Sequence, residues 1–264
     1  MINISIVQFK PKLFKIKENV DTAINLIKNE KTDLFLFPEL AFSGYSFSKN
    51  EEVKEVSENP KINKGYAFNK FKDFCIKNNV NIVYGFVEED RNKFYNSSIL
   101  IKKDGSFKIY RKTHLFYNEK KFFSNGNTGF FIENIKGVNI GLAICFDWFF
   151  PESFRTLSLM GADIILHSAN LVMPYCQNAN ITRSLENRVY IATANTWGEE
   201  INNKIKNTFT GMSQLTDPFG NIIKRFPPQK NIVETFFIDE KLSRNKNINE
   251  KNNIFEDRKI QFYK

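Results

Sequence analysis

Cysteine is scarce in this chain of 264 residues: Cys75, Cys145 and Cys176 show neither metal-ligand spacing nor an even disulfide framework. No apolar run approaches the roughly 18 residues of a membrane span, and Met1-Ile2-Asn3-Ile4-Ser5-Ile6-Val7 enters a strand pattern without a charged leader. These absences read as a cytoplasmic, reduced protein with no membrane segment. Histidine is scarcer still, with only His114 and His167. A reactive cysteine therefore has few partners of its usual kind, although spacing alone excludes neither. No proline- or glycine-rich linker and no internal repeat divides the chain. It reads as one domain over residues 1–240 and a polar tail, 241–264, that either frays or docks on a partner subunit.

Positive charge is abundant but not concentrated. The net charge is +9; the tail holds seven Lys/Arg against three Asp/Glu, and the remainder is spread thinly without basic clusters among stacking aromatics. That describes a solvated surface rather than a nucleic-acid face. The 28 phenylalanines mostly alternate with Ile, Leu and Val, so they read as core.

Strand and helix signals alternate along the chain. Residues 2–9 read as a strand, 18–29 as a helix with Val20, Ala23, Ile24 and Ile27 on one face, and 33–37 as a short buried strand. A second helix is expected over 62–79, where Phe68, Phe71, Phe74 and Cys75 recur at helical spacing. Strands follow over 81–87, 95–102 and 107–111, the last two joined through Lys103-Asp104-Gly105-Ser106. A strand then runs from Val138 into Cys145, and a helix starts at Pro151 and ends before Gly161. A strand over 163–166, a helix over 178–190, a strand over 191–195, a turn at Asp217-Pro218-Phe219-Gly220 and a strand over 232–238 complete the pattern. This is an α/β domain with mixed strand pairing.

Three strand ends carry chemistry. Glu39 follows the run Asp33-Leu34-Phe35-Leu36-Phe37-Pro38, Lys112 follows Phe107-Lys108-Ile109-Tyr110-Arg111, and Cys145 follows Val138-Asn139-Ile140-Gly141-Leu142-Ala143-Ile144. Side chains just beyond the carboxyl ends of strands face the crevice where α/β sheets bind ligands. A carboxylate can take the proton of a thiol and return it to a leaving amine. An ammonium favours the thiolate and stabilises an oxyanion, helped by the N–H after the nucleophile. Such a set needs no histidine.

These segments resemble the nitrilase (carbon–nitrogen hydrolase) superfamily. Phe37-Pro38-Glu39-Leu40 with Ser43-Gly44-Tyr45, then Tyr110-Arg111-Lys112-Thr113-His114-Leu115-Phe116, then Ile144-Cys145-Phe146-Asp147-Trp148 are similar to its base, lysine and nucleophile blocks. Glu119-Lys120-Lys121-Phe122-Phe123 resembles the segment of its second glutamate, and Ala169-Asn170 with Arg183-Ser184-Leu185-Glu186-Asn187-Arg188 its later strand and helix. Two departures stand out: Ser124-Asn125-Gly126 replaces a common Pro-Gly, and Ser168 follows His167 where many relatives have proline. The loop from Lys112 to Glu119 is short, which leaves the rim either open or dependent on a neighbouring subunit.

The resemblance implies a four-layer αββα sandwich, commonly paired into a homodimer or higher homo-oligomer, with no metal or organic cofactor. It implies Glu39, Lys112, Cys145 and Glu119 as catalytic residues, with Phe146, Tyr45, Trp148 and Asn170 as candidates for substrate binding. The Trp148-Phe149-Phe150 run fits a compact apolar pocket or core packing, core being preferred. Phe146-Asp147 after the cysteine is similar to the amidase and carbamoyl-hydrolase branches, whereas nitrilases proper usually have Trp-Glu. The implied substrate is a small aliphatic amide; the alternatives are a small nitrile or an N-carbamoyl amine. A binding protein on a retired hydrolase scaffold would be expected to lack one of the three groups, and all three are present.

Overall fold

Ile2, Ile4 and Ile6 point to one side of the first strand, Val7 and Phe9 belong to a separate cluster, and all five are buried. A strand apolar on both faces must lie between two layers. The computed structural model, which describes residues 1–263, shows those layers; Lys264, the end of the polar tail, lies outside the described residues. In chain order the elements are β1 (Ile2–Gln8), α1 (Ile16–Ile27), β2 (Leu34–Leu36), α2 (Asn50–Glu55), α3 (Tyr66–Asn78), β3 (Asn81–Asp90), β4 (Lys93–Ile101), β5 (Phe107–Arg111), α4 (Glu119–Phe122), β6 (Ile132–Ile135), β7 (Val138–Ile144), α5 (Pro151–Leu159), β8 (Ile164–Ala169), α6 (Cys176–Asn187), β9 (Tyr190–Asn195), β10 (Trp197–Asn202), β11 (Ile205–Thr210), β12 (Gln214–Thr216), β13 (Ile222–Arg225), β14 (Ile232–Ile238) and α7 (Glu240–Arg244).

One six-stranded sheet has the order β14-β1-β2-β3-β4-β5 and the other β13-β12-β9-β8-β7-β6, while β10 and β11 form a separate hairpin. Within the sheets, β1, β2 and β3 are parallel, as are β7, β8 and β9. Leu34, Leu36, Val83 and Leu100 of the first sheet join Ile140, Leu142 and Ile164 of the second in one buried cluster, which extends to Phe154 and Leu157 of α5. Phe35 and Ile82 instead pack with Val20 and Ala23 of α1 and Phe68 and Phe71 of α3. The result is the αββα sandwich. Among the described residues no helix is long and apolar enough to cross a membrane.

Several local features differ from the sequence reading. The helix expected from residue 62 starts at Tyr66, because Pro60–Ile62 forms its own 3-10 turn and Gly65 sits at φ 141° before the helix. The helix expected over 178–190 starts at Cys176 and stops at Asn187, where Arg188 turns left-handed at φ 49°. The sequence reading contains no α2, no β6 and no β10–β11 hairpin. Phe149 is not core: it is 51% exposed. The first part of the tail lies on the chain's own surface. Arg244 bonds Asp163 and the Gly137 carbonyl, and Lys246 Nζ donates to the Asn187 and Arg188 carbonyls.

Candidate active site

The parallel strands deliver their carboxyl ends to one edge of the sandwich, and the polar side chains gather there. Beyond β2 the chain follows β3, through Phe37 N–H to Val83 O (2.8 Å) and Gly85 N–H to Pro38 O (2.9 Å), which carries Glu39 to a fully buried position. Beyond β5, Lys112 N–H donates to Asn96 O (2.8 Å) and prolongs the β4–β5 pairing by one residue. The Lys112 carbonyl accepts from Gly126 N–H (3.1 Å). A Cβ at position 126 would lie 2.2 Å from Arg111 O, so only glycine lets that loop approach. This is the physical content of Gly126 in Ser124-Asn125-Gly126.

Lys112 Nζ stands between two carboxylates, 2.6 Å from Glu39 Oε1 and 2.7 Å from Glu119 Oε1. Asn96 Nδ2 donates to the same Glu39 oxygen at 2.7 Å, and Glu39 Oε2 is buried with no partner. The Tyr45 hydroxyl donates to Glu119 Oε1 at 2.6 Å. Burial works against the Lys112 charge, but Glu119 and then Glu39 outweigh it and hold the ammonium protonated. Burial raises the Glu39 carboxyl, with Lys112 pulling the other way.

Cys145 follows β7 and opens a 3-10 turn with φ 39°, a left-handed conformation costly for a residue with a Cβ. Such strained strand-to-helix turns push a side chain out of the sheet. The turn is pinned from below. His167 Nε2 lies 2.9 Å from Cys145 O, and Asp147 Oδ2 accepts from Ile144 N–H at 2.9 Å. Desolvation lowers the pKa of buried His167 to about 4, so its neutral ring donates to that carbonyl. His114 bonds Asp147 instead. Burial, and then the Glu39 charge, push the Cys145 thiol well above its ordinary range, with Lys112 opposing.

A cavity of about 10 Å³ opens beside Cys145, lined by Phe116, Phe146, Trp148, Leu171, Val172 and Met173 together with Asn170. The structure thus gathers Cys145, Phe146, Trp148 and Asn170 around one space. Trp148 is 6% exposed and serves both core and cavity wall. Asn170 contributes its carbonyl, 3.8 Å from Cys145 Sγ, and its Nδ2 donates to Glu39 O at 2.9 Å. The short Lys112 to Glu119 loop places Phe116 in the wall. Sequence reasoning missed Asn96. The signal available was the run Asn96-Ser97-Ser98, three buried polar residues inside an otherwise apolar strand.

An αββα sandwich with a cysteine at the turn after an inner strand, near a buried lysine and two glutamates, defines a class of thiol hydrolases. The chain matches the carbon–nitrogen hydrolase family over residues 3–240 and belongs to it. It is 40% identical over 266 residues to a nitrilase of Pyrococcus abyssi, covering 100% of this chain and 99% of that one. It is 32% identical over 214 residues to an (R)-stereoselective amidase of a Pseudomonas species, covering 77% and 75%. Its fold superposes on a carbon–nitrogen hydrolase from Helicobacter pylori G27 with a TM-score of 0.86 at 22% identity, covering 99% and 96%. The chain is an enzyme of this family.

Proposed function

We propose that this enzyme hydrolyses a small, neutral aliphatic amide to the carboxylic acid and ammonia through a thioester on Cys145. The observation that carries the reading is the division of labour at Glu39. Lys112 and Asn96 occupy Oε1, while buried Oε2 is left without a partner and available for a proton. In this reading Glu39 takes the Cys145 proton as the sulfur bonds the amide carbon. Lys112 and the Phe146 N–H hold the oxyanion, and Glu119 positions Lys112. The C–N bond breaks as Glu39 returns the proton to nitrogen, releasing ammonia. Water then adds to the thioester, giving its proton to Glu39, and the acid departs as the proton returns to sulfur.

The cavity supports the choice of acyl group. Its lining of Phe116, Phe146, Trp148, Leu171, Val172, Met173 and Asn170 carries no charge. An acyl chain bearing a carboxylate or ammonium would be desolvated there without a counter-ion. A nitrile is the second reading, favoured by the similarity to the Pyrococcus abyssi nitrilase. We propose also a cytoplasmic homodimer. Three free thiols suit a reducing compartment, and exposed Phe149, Leu159, Met160 and Leu185 offer an apolar surface for a second copy, to be checked by light scattering.

The test is an ammonia-release screen across short neutral amides, amides carrying a charge, N-carbamoyl amines and nitriles. Short neutral amides are expected to react, Cys145→Ala to abolish turnover, and Cys75→Ala and Cys176→Ala to keep it. Activity on nitriles and on no amide would reverse the ranking; equal loss in all three cysteine variants would remove Cys145 as nucleophile.

A further inference from the structure

The β10–β11 hairpin belongs to neither sheet, yet it reaches the lysine site through two hydrogen-bonded steps. Glu200 of β10 is 8% exposed, and its Oε2 accepts from the backbone N–H groups of Tyr45 (2.9 Å) and Ser46 (2.6 Å). The approach is so close that a Cβ on Gly44, which sits at φ 81°, would fall 2.6 Å from Glu200 Oε1. Phe209 of β11 packs edge-to-face on the Tyr45 ring, with centroids 5.9 Å apart at 89°. The Tyr45 hydroxyl, so placed, donates a hydrogen bond to Glu119 Oε1, the oxygen that also accepts from Lys112 Nζ.

Fastening the hairpin does not require that carboxylate. Asn202 Nδ2 donates to Ser46 O and Asn207 Nδ2 to Ser46 Oγ, each at 2.8 Å. Burying a carboxylate is costly where neutral donors and acceptors already hold the contact. What the charge adds is a short, charge-assisted grip on two consecutive N–H groups at the root of the Tyr45 side chain. The geometry points to Glu200 as a positioning residue that acts through Tyr45 to fix Glu119 against Lys112. The inference rests on the catalytic reading above, in which Lys112 holds the oxyanion.

The experiment is a double-mutant cycle between Glu200→Ala and Tyr45→Phe, with kcat and KM measured on a neutral amide and the alkylation rate of Cys145 by iodoacetamide measured in parallel. Glu200→Ala is expected to lower kcat about ten- to a hundredfold with little change in KM. Glu200→Gln, which keeps an acceptor but not the charge, should recover only part of the loss. In the Tyr45→Phe background Glu200→Ala should add nothing further. Glu199→Ala, an exposed neighbour on the same hairpin, should match the parent enzyme. Multiplicative losses in the double variant, or an unchanged kcat in Glu200→Ala, overturn the inference. Should Glu200→Ala fail to fold, Glu200→Asp replaces it in the cycle; its shorter arm should cost kcat only while Tyr45 keeps its hydroxyl. Wild-type enzyme that is alkylated at Cys145 but releases no ammonia from any amide defeats the catalytic reading instead, and the alkylation rates then still report the cycle.

Discussion

His114 Nδ1 stands 2.8 Å from Asp147 Oδ1, and the two residues hold equivalent places, two positions beyond Lys112 and two beyond Cys145. Tyr110, two positions before Lys112, donates its hydroxyl to Asp147 Oδ2 at 2.8 Å, beside Ile144 N–H at 2.9 Å. One buried carboxylate therefore ties the end of β5 in one sheet to the end of β7 in the other. That tie joins the two segments that carry Lys112 and Cys145.

Asp147→Ala leaves the buried Ile144 N–H without its acceptor and frees the Tyr110 hydroxyl to turn to Thr113 Oγ1, 2.9 Å away. Orphaning that buried donor is expected to lower stability by about 1–3 kcal/mol, read by urea denaturation. It should also reduce kcat, because the two strand ends lose their tie. A variant with unaltered midpoint and turnover would show that the tie is redundant.

Asn96→Leu tests Glu39 through pH. The Asn96 amide favours the ionised carboxylate, opposing the rise that burial imposes. Without that donor the carboxyl protonates more readily, so the acid limb of the kcat/KM profile should move to higher pH. A limb that stays put would separate Glu39 from the rate-determining ionisation.

Two buried groups outside the reacting set give stability opposite dependences on pH. His167 falls from an ordinary 6.5 to about 4, so below 6.5 the unfolded chain binds a proton that the folded one refuses. Stability from this site is lost as pH drops from 6.5 to 4, by about 3 kcal/mol. Glu58, which accepts from Ala67 N–H (2.8 Å) and Phe68 N–H (3.2 Å), rises from 4.5 to about 7 through burial. Here the folded state holds the proton, and stability is lost as pH climbs from 4.5 to 7, again by about 3 kcal/mol. The trends offset each other in the parent. Glu58→Gln should gain stability above pH 7, and His167→Gln should flatten the acid side, both followed by chemical denaturation across pH.

Gly126→Ala forces a methyl group against Arg111 O and Lys112 O. Overpacking against backbone is expected to cost about 1–3 kcal/mol and to displace Lys112, lowering kcat. Thermal unfolding and turnover measured together check both halves; a silent substitution would mean the loop simply shifts away.

Much of this was legible in the chain because two-residue alternation and strand ends leave strong marks. Ile2, Ile4 and Ile6 announce a buried strand, and the polar residue after each apolar run announces Glu39, Lys112 and Cys145. The β10–β11 hairpin left no such mark. Its residues are mostly polar and charged, and it is held by Glu200, Asn202 and Asn207 reaching a loop some 150 positions away. The start of α3 was misplaced because Ile62 fits the apolar period, whereas Pro60–Ile62 and Gly65 break the backbone there. Nothing in the sequence signals that the Tyr45 hydroxyl bonds Glu119, 74 positions further on.

The pairing of β1 with β14 has a consequence in time. Ser5 and Thr235 share a hydrogen bond across 230 positions, and Gln8 Nε2 donates to Pro227 O and Lys230 O. During synthesis at about 5–20 residues per second, β1 waits on the order of 10–50 s with one edge open. An open apolar edge invites pairing with another chain. That edge of β1 stays unpaired until β14 emerges, and a chain truncated before Ile232 is expected to aggregate more readily than the full one.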